Sequence, residues 1–417
     1  MKFPFKKIEA PICIALVIAL GFGGFMGVKN MCIKQRTIDV AQSIETVNDE
    51  VSQSKTADSK GGPKIKAKAA VLIDSATGKV IYALNADKEL PPASVTKVMT
   101  MLLAMEAVDS GKITLDDEVT ISDNAASMGG SQMYMEPGET HTVAQLLEGV
   151  AMVSANDGCV ALAEYIAGST DIFVEKMNKK AQELGMKNTN FVNTNGLPVR
   201  EHYTSAYDIA LMSKELIKHK EIRKWCTKWQ GTIKVGLPGK ETEFGLTNTN
   251  KLIRSYEGCV GLKTGSTSIA KYCLSAVAKR NDVTLIAVVM AAPDYKVRFK
   301  DAASMLNYGF SKCSLYIDKK MEALPEVPVR NGKKKTVSLV YEEQFHYLDT
   351  TGQNIGNVKR KLRIHREVKA PVKMNTLAGE MIYSVDGKEL GRVRILYGEN
   401  AGKATYPDCL KKVVMRL

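Results

Sequence analysis

The chain has 417 residues, of which 45% are hydrophobic and 25% charged, as in an ordinary globular protein long enough for two domains. Its net charge of +13 suggests an anionic neighbour, but aromatic residues make up only 6% of the sequence. Because proteins that bind single-stranded nucleic acid stack its bases on aromatic side chains, we expect no nucleic-acid partner.

The N-terminal segment carries basic residues followed by an apolar run. Lys2, Lys6 and Lys7 precede an apolar stretch over residues 10–28. This order is typical of a secretory signal peptide and also of a signal anchor. The stretch is long enough to cross a bilayer, but several glycines weaken its second half, so both alternatives stay open. We expect residues 1–34 to be a signal peptide or an N-terminal membrane anchor, and the remaining chain to be exported.

A polar segment and then a hairpin follow. Residues 35–63 are rich in Ser, Thr, Gln, Asp and Lys and end in Gly61-Gly62-Pro63, which predicts a flexible linker. We place the first folded domain at residues 64–317. It begins with strands predicted at 67–74 and 79–84, on either side of a turn at 75–78.

The rest of this domain has helices between its early and late strands. The apolar-periodic segment 95–108 predicts a buried helix that Ser94 begins. Similar patterns predict helices at 143–152, 156–167, 172–184, 205–218 and 297–308, and strands at 260–263, 272–279 and 283–291. This grouping predicts an α+β fold, an antiparallel sheet with an inserted helical subdomain.

The sequence changes character after residue 317. Short alternating runs at 336–340, 358–364, 380–383 and 392–396, with turns such as Asp386-Gly387, predict a small all-β domain over residues 318–417. Its densest basic run is Lys359-Arg360-Lys361. Alternating basic residues of this kind are more typical of a solvated strand face than of a binding patch.

Three short motifs are candidates for one active site. They are Ser94-Val95-Thr96-Lys97, Ser154-Ala155-Asn156 and Lys263-Thr264-Gly265. Each motif alone is common, but their order, spacing and local context are much harder to obtain by chance.

The first motif pairs a hydroxyl with an amine. If Ser94 begins a helix, Lys97 lies one turn along on the same face, within hydrogen-bond reach of the Ser94 hydroxyl. A serine becomes a nucleophile when a base removes its proton, and none of the five histidines has a recognisable triad partner. Lys97 is the base if it is neutral, which requires burial and a second cation nearby. We expect Lys263 to supply that cation.

The other two motifs supply hydrogen-bonding groups. We expect Asn156 to bond both Lys97 and a substrate amide, and the Ser154 hydroxyl to relay a proton to a leaving amine. Gly265 lets a substrate backbone lie close, while Lys263 and Thr264 offer donors to a carboxylate. The backbone amides of Ser94 and Ser266 are our candidate oxyanion hole.

Metal and phosphate sites have little support in the sequence. The eight cysteines include no Cys-x-x-Cys pair, and there is no His-Glu-x-x-His helix to hold zinc. Leu262 stands where a phosphate-binding loop needs glycine before its lysine. We therefore expect no cofactor and no metal, and we interpret the cysteines as buried free thiols.

On these motifs the chain resembles the low-molecular-mass penicillin-binding proteins. These are serine-type D-alanyl-D-alanine carboxypeptidases, here of the branch with a β-rich domain after the catalytic one. Other segments strengthen the resemblance: 130–134, 204–208, 261–265, and Arg298 followed by 308–310. It implies a fold like that of β-lactamases and transpeptidases. It also implies that Ser94 is acylated with Lys97 as base, that Ser154 and Asn156 assist, and that Lys263, Thr264 and Arg298 recognise the terminal D-alanine carboxylate.

The resemblance also implies partners and location. The substrate would be the peptidoglycan stem peptide, with β-lactam antibiotics as covalent inhibitors and the N-terminal segment contacting the membrane. The protein would act outside the cytoplasm, at the outer face of the cytoplasmic membrane or in the cell wall.

Two alternatives remain open. A class A β-lactamase shares the three motifs but also needs a deacylating glutamate in a Glu-x-x-Leu-Asn sequence, which is missing between Asn156 and Lys263. A non-catalytic wall-binding or β-lactam-sensing protein could keep the pocket without turnover, although intact Ser94, Lys97, Asn156 and Lys263 disfavour it.

Overall fold

The computed structural model describes residues 62–350, 355 and 357–408. The signal or anchor predicted for residues 1–34, and nearly all of the linker predicted for 35–63, lie outside these described residues. Within the described part of the chain, no helix combines the length and the apolar character needed to cross a membrane.

In the first part of the chain, most helices lie between early and late strands, as predicted. Its strands are β1 (Ala69–Asp74), β2 (Val80–Leu84), β3 (Glu118–Thr120), β4 (Thr140–Thr142), β5 (Gln230–Val235), β6 (Thr242–Thr247), β7 (Cys259–Thr267), β8 (Lys271–Arg280) and β9 (Val283–Ala292). Its helices are α1 (Lys97–Asp109), α2 (Asp123–Ala126), α3 (Val143–Met152), α4 (Asn156–Ala167), α5 (Thr170–Glu183), α6 (Ala206–Leu216), α7 (Lys220–Thr227), α8 (Leu252–Ser255) and α9 (Tyr295–Lys312).

Five strands form the central sheet, in the order β2-β1-β9-β8-β7, with every neighbouring pair antiparallel. Because side chains alternate along a strand, β1 sends Val71 and Ile73 into the core on one face and Leu72 into the core on the other. Both faces of β9 are buried in the same way, so this strand is apolar along most of its length and does not alternate. The sheet is covered on both faces, and β7 forms one edge of it.

The inserted helices pack on one face of the sheet around α1. This helix is apolar on most of its circumference, and its buried residues include Met99, Met101, Leu102 and Met105. A helix that is apolar on most of its circumference is buried in the core. Contacts on all sides therefore hold α1 in position against the sheet. Helix α9 covers the opposite face through Phe299, Met305 and Leu306.

Helix α9 also holds the start of the described chain. The carboxylate of Asp301 accepts hydrogen bonds from the backbone N–H groups of Lys66 and Ala67, at 2.9 and 3.0 Å. Asp301 is buried, so these charge-assisted bonds satisfy backbone groups that water could not reach. The segment entering β1 is thereby fixed to the helix that leaves the sheet.

The second part of the chain consists mainly of short strands. They are β10 (Ser314–Ile317), β11 (Val327–Arg330), β12 (Thr336–Val337), β13 (Leu339–Tyr341), β14 (His346–Asp349), β15 (Lys359–Ile364), β16 (Val368–Lys369), β17 (Leu377–Val385) and β18 (Lys388–Tyr397). The largest sheet has the order β13-β18-β17-β15. Its core includes Phe345 stacked on Tyr383, with ring centroids 3.8 Å apart. Strand β10, just before residue 318, pairs with β14.

The predicted α+β fold followed by a small β-rich region is confirmed, although several short elements, among them β3, β4 and α7, were not predicted. The predicted helix over 95–108 is a 3₁₀ turn over Ala93–Thr96 followed by α1, so Ser94 lies in the turn and not in the α-helix. The ribbon of β5 and β6 was not predicted. Most of its side chains are exposed: β5 alternates but buries only Ile233 and Val235, and β6 buries only Leu246, so the apolar signal is short.

Candidate active site

The three motifs lie together on the face of the sheet that α1 and the inserted helices cover. Ser94 is held in the 3₁₀ turn at the start of α1, and Lys97 is the first residue of that helix. The Nζ atom of Lys97 lies 3.0 Å from the Oγ atom of Ser94, as the spacing of the first motif predicts. The tighter 3₁₀ turn brings residues i and i+3 directly over one another, which favours this contact.

Lys97 is completely buried and has two further oxygen partners. Its Nζ atom lies 2.6 Å from the side-chain oxygen of Asn156 and 2.7 Å from the backbone carbonyl oxygen of Asn195. A neutral amine has two N–H donors and one lone pair, so it can donate to these two oxygens while accepting from the Ser94 hydroxyl. Burial lowers the pKa of Lys97 to about 8, which makes the neutral form accessible near neutral pH.

Lys263 is the second buried amine. It lies in β7 with 1% of its surface exposed, and its Nζ donates to the backbone carbonyl of Thr264 at 3.1 Å. Burial, and next the charge of Lys97, lower the pKa of Lys263 to about 7. We expected burial together with the charge of Lys263 to depress the pKa of Lys97. Burial is the main cause at Lys97, and the repulsion between the two amines is evident at Lys263.

The second motif forms the loop opposite β7. Ser154 has a positive φ of 66°, and its buried Oγ has no hydrogen-bond partner among the residues that the structure describes. Asn156 accepts from Lys97 and donates through Nδ2 to the carbonyl of Gly129 at 2.6 Å. A polar atom left unpaired inside a protein is costly, so the Ser154 hydroxyl is available to a molecule in the cleft.

The third motif lies at the edge of the sheet against the 3₁₀ turn over Ala93–Thr96, which we call the nucleophile turn because Ser94 is the predicted nucleophile. A Cβ atom added to Gly265 would lie 2.8 Å from the carbonyl oxygen of Pro92 and 2.9 Å from the backbone nitrogen of Ser94. Glycine is therefore required at position 265 for this close approach. Thr264 shares a 2.7 Å hydrogen bond with Thr249 through their hydroxyl groups, and Ser266 is exposed.

Arg298 reaches the site through the backbone of β7. It lies in α9, is mostly buried, and donates through Nη1 to the carbonyl of Gly265 at 3.1 Å and to that of Cys273 at 3.4 Å. Its Nε atom has no hydrogen-bond partner within the described residues. The structure thus places Arg298 next to Gly265, and its contact with a substrate carboxylate stays a prediction.

The sequence reasoning missed the loop that supports the first motif. Asn195 contributes a backbone carbonyl to Lys97, and the Asn193 side chain holds the loop by accepting from the backbone of Asn195 and Gly196. A Cβ atom on Gly196 would lie 1.9 Å from the carbonyl oxygen of Ala93. A backbone carbonyl leaves no signal in a sequence, whereas the Asn193-x-Asn195-Gly196 turn could have been noticed.

His202 was also missed. Its Nε2 lies 2.8 Å from the hydroxyl of Thr96, which donates to the carbonyl of Ala93 at 2.9 Å. Its Nδ1 accepts from the backbone N–H of Val192 at 3.0 Å, so the proton of the neutral ring is on Nε2. Burial lowers the pKa of His202 to about 4, and the imidazole therefore remains neutral while it connects the supporting loop to the nucleophile turn.

A serine hydroxyl beside a buried lysine at the start of a core helix, together with an Asn motif and a Lys-Thr-Gly edge strand, defines the penicillin-recognising class of serine acyltransferases. Comparison with known proteins supports this class. Residues 53–294 match the family model described as D-alanyl-D-alanine carboxypeptidase, and residues 316–403 match the C-terminal domain of penicillin-binding protein 5. The chain therefore belongs to the D-alanyl-D-alanine carboxypeptidase family, and the predicted enzyme class is confirmed.

Individual relatives cover most of the chain. It is similar to D-alanyl-D-alanine carboxypeptidase DacF of Bacillus subtilis, with 42% identity over 84% of this chain and 89% of the relative. It is also similar to DacC of Escherichia coli, with 34% identity over 81% of this chain and 85% of the relative. Among solved structures, penicillin-binding protein 5 from Haemophilus influenzae has a TM-score of 0.68 and 33% identity, covering 82% of this chain and 99% of that one.

Gly265→Ala should abolish fast acylation. The added methyl group has to displace either β7 or the nucleophile turn, so we expect the rate of labelling by a fluorescent penicillin to fall at least about 100-fold. Gly245→Ala is a matched control, because a Cβ at that strand position meets nothing within 4 Å. Equal labelling rates for both variants would show that the contact with Pro92 and Ser94 is not needed.

His202→Ala should slow acylation without unfolding the protein. It removes the bond that orients Thr96, and we expect the penicillin-labelling rate to fall about 10-fold or more. Because His202 is neutral at neutral pH, the pH at which labelling is half-maximal should not move. A shifted pH profile would instead assign His202 a role in proton transfer, and a wild-type rate in a folded variant would contradict its positioning role.

Proposed function

We propose that Ser94 is the nucleophile of this D-alanyl-D-alanine carboxypeptidase and that Lys97 is its general base. The reaction removes the terminal D-alanine from peptidoglycan pentapeptides through an acyl-enzyme on Ser94. The observation that carries the proposal is the buried amine of Lys97, 3.0 Å from the Ser94 hydroxyl and bonded otherwise to two neutral oxygens.

Acylation follows from these contacts. Neutral Lys97 takes the hydroxyl proton as Oγ of Ser94 forms a bond to the carbonyl carbon of the penultimate D-alanine. The oxygen of the tetrahedral intermediate accepts hydrogen bonds from the backbone N–H groups of Ser94 and Ser266. The proton then passes to the leaving nitrogen, with the unpaired hydroxyl of Ser154 as the relay, and the C–N bond breaks.

Deacylation reuses the same base. Lys97, neutral again, takes a proton from water as the water oxygen attacks the ester carbonyl, and the returned proton restores the Ser94 hydroxyl. Asn156 keeps the Lys97 amine in place through both halves of the reaction, because its side-chain oxygen holds one of the two N–H groups.

The terminal carboxylate of the substrate binds at β7. Lys263 and Thr264 lie on this edge strand, and a carboxylate beside Lys263 raises its pKa and so stabilises its charged form. Gly265 allows the close approach of the peptide backbone. Arg298 acts here by holding the Gly265 carbonyl and adds positive potential from behind the strand.

The chemistry disfavours a class A β-lactamase. The oxygen partners of Lys97 are Ser94, Asn156 and the Asn195 backbone, and none of the three is a carboxylate. β-Lactams should therefore form a long-lived ester on Ser94, while stem peptides turn over. A non-catalytic sensor is disfavoured because Ser94 contacts the buried amine of Lys97, and Lys263 lies close enough for its charge to interact with that of Lys97.

The remaining parts of the chain have supporting roles in this proposal. Residues 64–317 are the proposed catalytic domain and 318–417 a β-rich domain, preceded by the linker 35–63 and by the segment 1–34, which is a signal peptide or a membrane anchor. Action on peptidoglycan places the enzyme outside the cytoplasm. The proposed location is the outer face of the cytoplasmic membrane if segment 1–34 is an anchor and the cell wall if it is a cleaved signal, which fractionation of cells that produce the tagged protein would distinguish.

D-Alanine release separates the three functions. Purified protein should release D-alanine from diacetyl-Lys-D-Ala-D-Ala, and Ser94→Ala should lower this release at least about 10⁴-fold. Wild-type protein should also bind fluorescent penicillin covalently and hydrolyse it slowly. Rapid hydrolysis of penicillin would favour the β-lactamase, and labelling without D-alanine release would favour the sensor.

The two lysines predict a narrow pH optimum and a way to widen it. Lys97 must be neutral, with a pKa of about 8, and Lys263 must be charged, with a pKa of about 7, so the active combination is a minority form. kcat/KM should therefore rise up to about pH 7, stay near its maximum between about pH 7 and 8, and fall at higher pH. Lys263→Arg keeps a permanent cation, so the alkaline fall should disappear, the rise should continue through about pH 8, and kcat/KM at pH 6 should be about 100-fold below its limiting value. An unchanged bell-shaped profile in Lys263→Arg would contradict this assignment.

A further inference from the structure

A cavity of about 300 Å³ that contains none of the catalytic groups lies where the turn between β1 and β2 meets the end of α6. Its other walls are Arg223 on α7 and the ends of three sheet strands, at Val260 in β7, Lys279 in β8 and Thr284 in β9. The volume is at the lower limit of the range for small-molecule sites, about 300–1,000 Å³. None of the residues that line this cavity takes part in the proposed reaction.

The lining of this cavity is basic. Lys214, Lys218, Arg223 and Lys279 all line it, and its described lining includes no acidic residue. Lys218 pairs with Glu215 at 2.6 Å. The other three cations form no ion pair within the part of the chain that the structure describes, and Lys214 and Arg223 are half-buried. Cations brought together from separate elements repel one another, so an anion between them is stabilised.

Three carboxylates flank the lining segments and have partners outside the cavity. The Asp74 carboxylate accepts hydrogen bonds from the backbone N–H and the hydroxyl of Thr77, at 2.8 and 2.7 Å. The other two form ion pairs with lysines that do not line the cavity: Glu221 with Lys224, and Asp282 with Lys319. These carboxylates therefore do not serve as counter-ions for the lining cations.

Two hydroxyl residues add hydrogen-bond donors. Ser75 and Thr284 both line the cavity, and the backbone N–H of Ser75 donates to the carbonyl of Thr284 at 2.8 Å, which holds the β1–β2 turn against β9. Lys214 lies over the same turn, because its Nζ atom is 3.2 Å from the point where a Cβ on Gly78 would be. The cavity thus presents amine, guanidinium and hydroxyl groups, all of which donate hydrogen bonds.

We propose that this cavity is a binding site for a small anion with a phosphate or diphosphate group, held between Lys214, Arg223 and Lys279. A phosphate group carries about two negative charges and three acceptor oxygens, so it matches several cations at once. The guanidinium of Arg223 binds two phosphate oxygens side by side, and the lysine amines act as point charges. The site goes beyond the proposed function and does not depend on it.

Calorimetric titration of the purified full-length protein with pyrophosphate tests the site. At constant ionic strength we expect saturable one-to-one binding with a Kd of about 100 µM or lower. Lys214→Gln and Arg223→Gln each remove a charge-assisted contact, so each should raise the Kd at least about 10-fold. Pyrophosphate should also raise the Tm of the wild-type protein, because the anion joins segments that separate on unfolding.

Lys224→Gln is the matched control for net charge. It removes one positive charge from α7 at an exposed position outside the lining, so its Kd should stay within about 2-fold of the wild-type value. Without ligand, all three variants should melt like the wild-type protein. Citrate is the control for charge without phosphate geometry, and it should bind at least about 10-fold more weakly than pyrophosphate.

Three results would overturn the proposal. They are the absence of saturable pyrophosphate binding by the wild type, a loss of affinity in Lys224→Gln equal to that in Arg223→Gln, and equal affinity of the wild type for citrate and pyrophosphate. D-Alanine release by the wild type is independent of all three, so failure of this site leaves the proposed function standing.

Discussion

Burial of the Lys97 amine is the constraint on which the rest of the site depends. Lowering its pKa from 10.5 to about 8 corresponds to roughly 3 kcal/mol of disfavour for the charged form. The unfolded chain takes up the proton first as pH falls from 10.5, so this cost to stability is fully present below about pH 8. Other interactions must offset this loss in the free energy of unfolding, and the apolar packing around α1 is one of them.

The nucleophile turn is held between two glycines that belong to distant parts of the chain. Gly196 packs on the carbonyl of Ala93 from the supporting loop, and Gly265 packs on Pro92 and Ser94 from β7. His202 adds a neutral hydrogen bond to Thr96 from the same loop. The hydroxyl and the amine are therefore positioned by rigid backbone on both sides, and little rearrangement is needed when a substrate enters.

The sequence predicts elements well where local periodicity and burial agree. Helices α3 and α4 have the predicted bounds, because their apolar spacing is strong and glycine or a polar turn interrupts the chain beside them. The predicted helix began at Ser94, whereas the structure has a 3₁₀ turn there, as is frequent at the N-terminus of an α-helix. The β5–β6 ribbon had too few buried positions to be recognised.

The candidate site divides in the same way. Side chains that act through their own chemistry, such as Ser94, Lys97 and Lys263, could be selected from motifs. Groups that act through their position could not be selected from motifs. The Asn195 carbonyl is chemically identical to any other backbone carbonyl, and the partner of His202 lies 106 positions away in the chain. The relative weight of burial and of the second amine's charge at Lys97 could not be predicted either, because burial depends on the whole fold.

Asp301 has a mechanical consequence. It fastens Lys66 and Ala67 to α9, and β10 follows directly after that helix, so both connections of the sheet to the rest of the chain meet at one element. This helix covers the face of the sheet opposite the nucleophile. A force on either end of the catalytic fold therefore acts first on the back of the sheet, on the side away from Ser94 and Lys97.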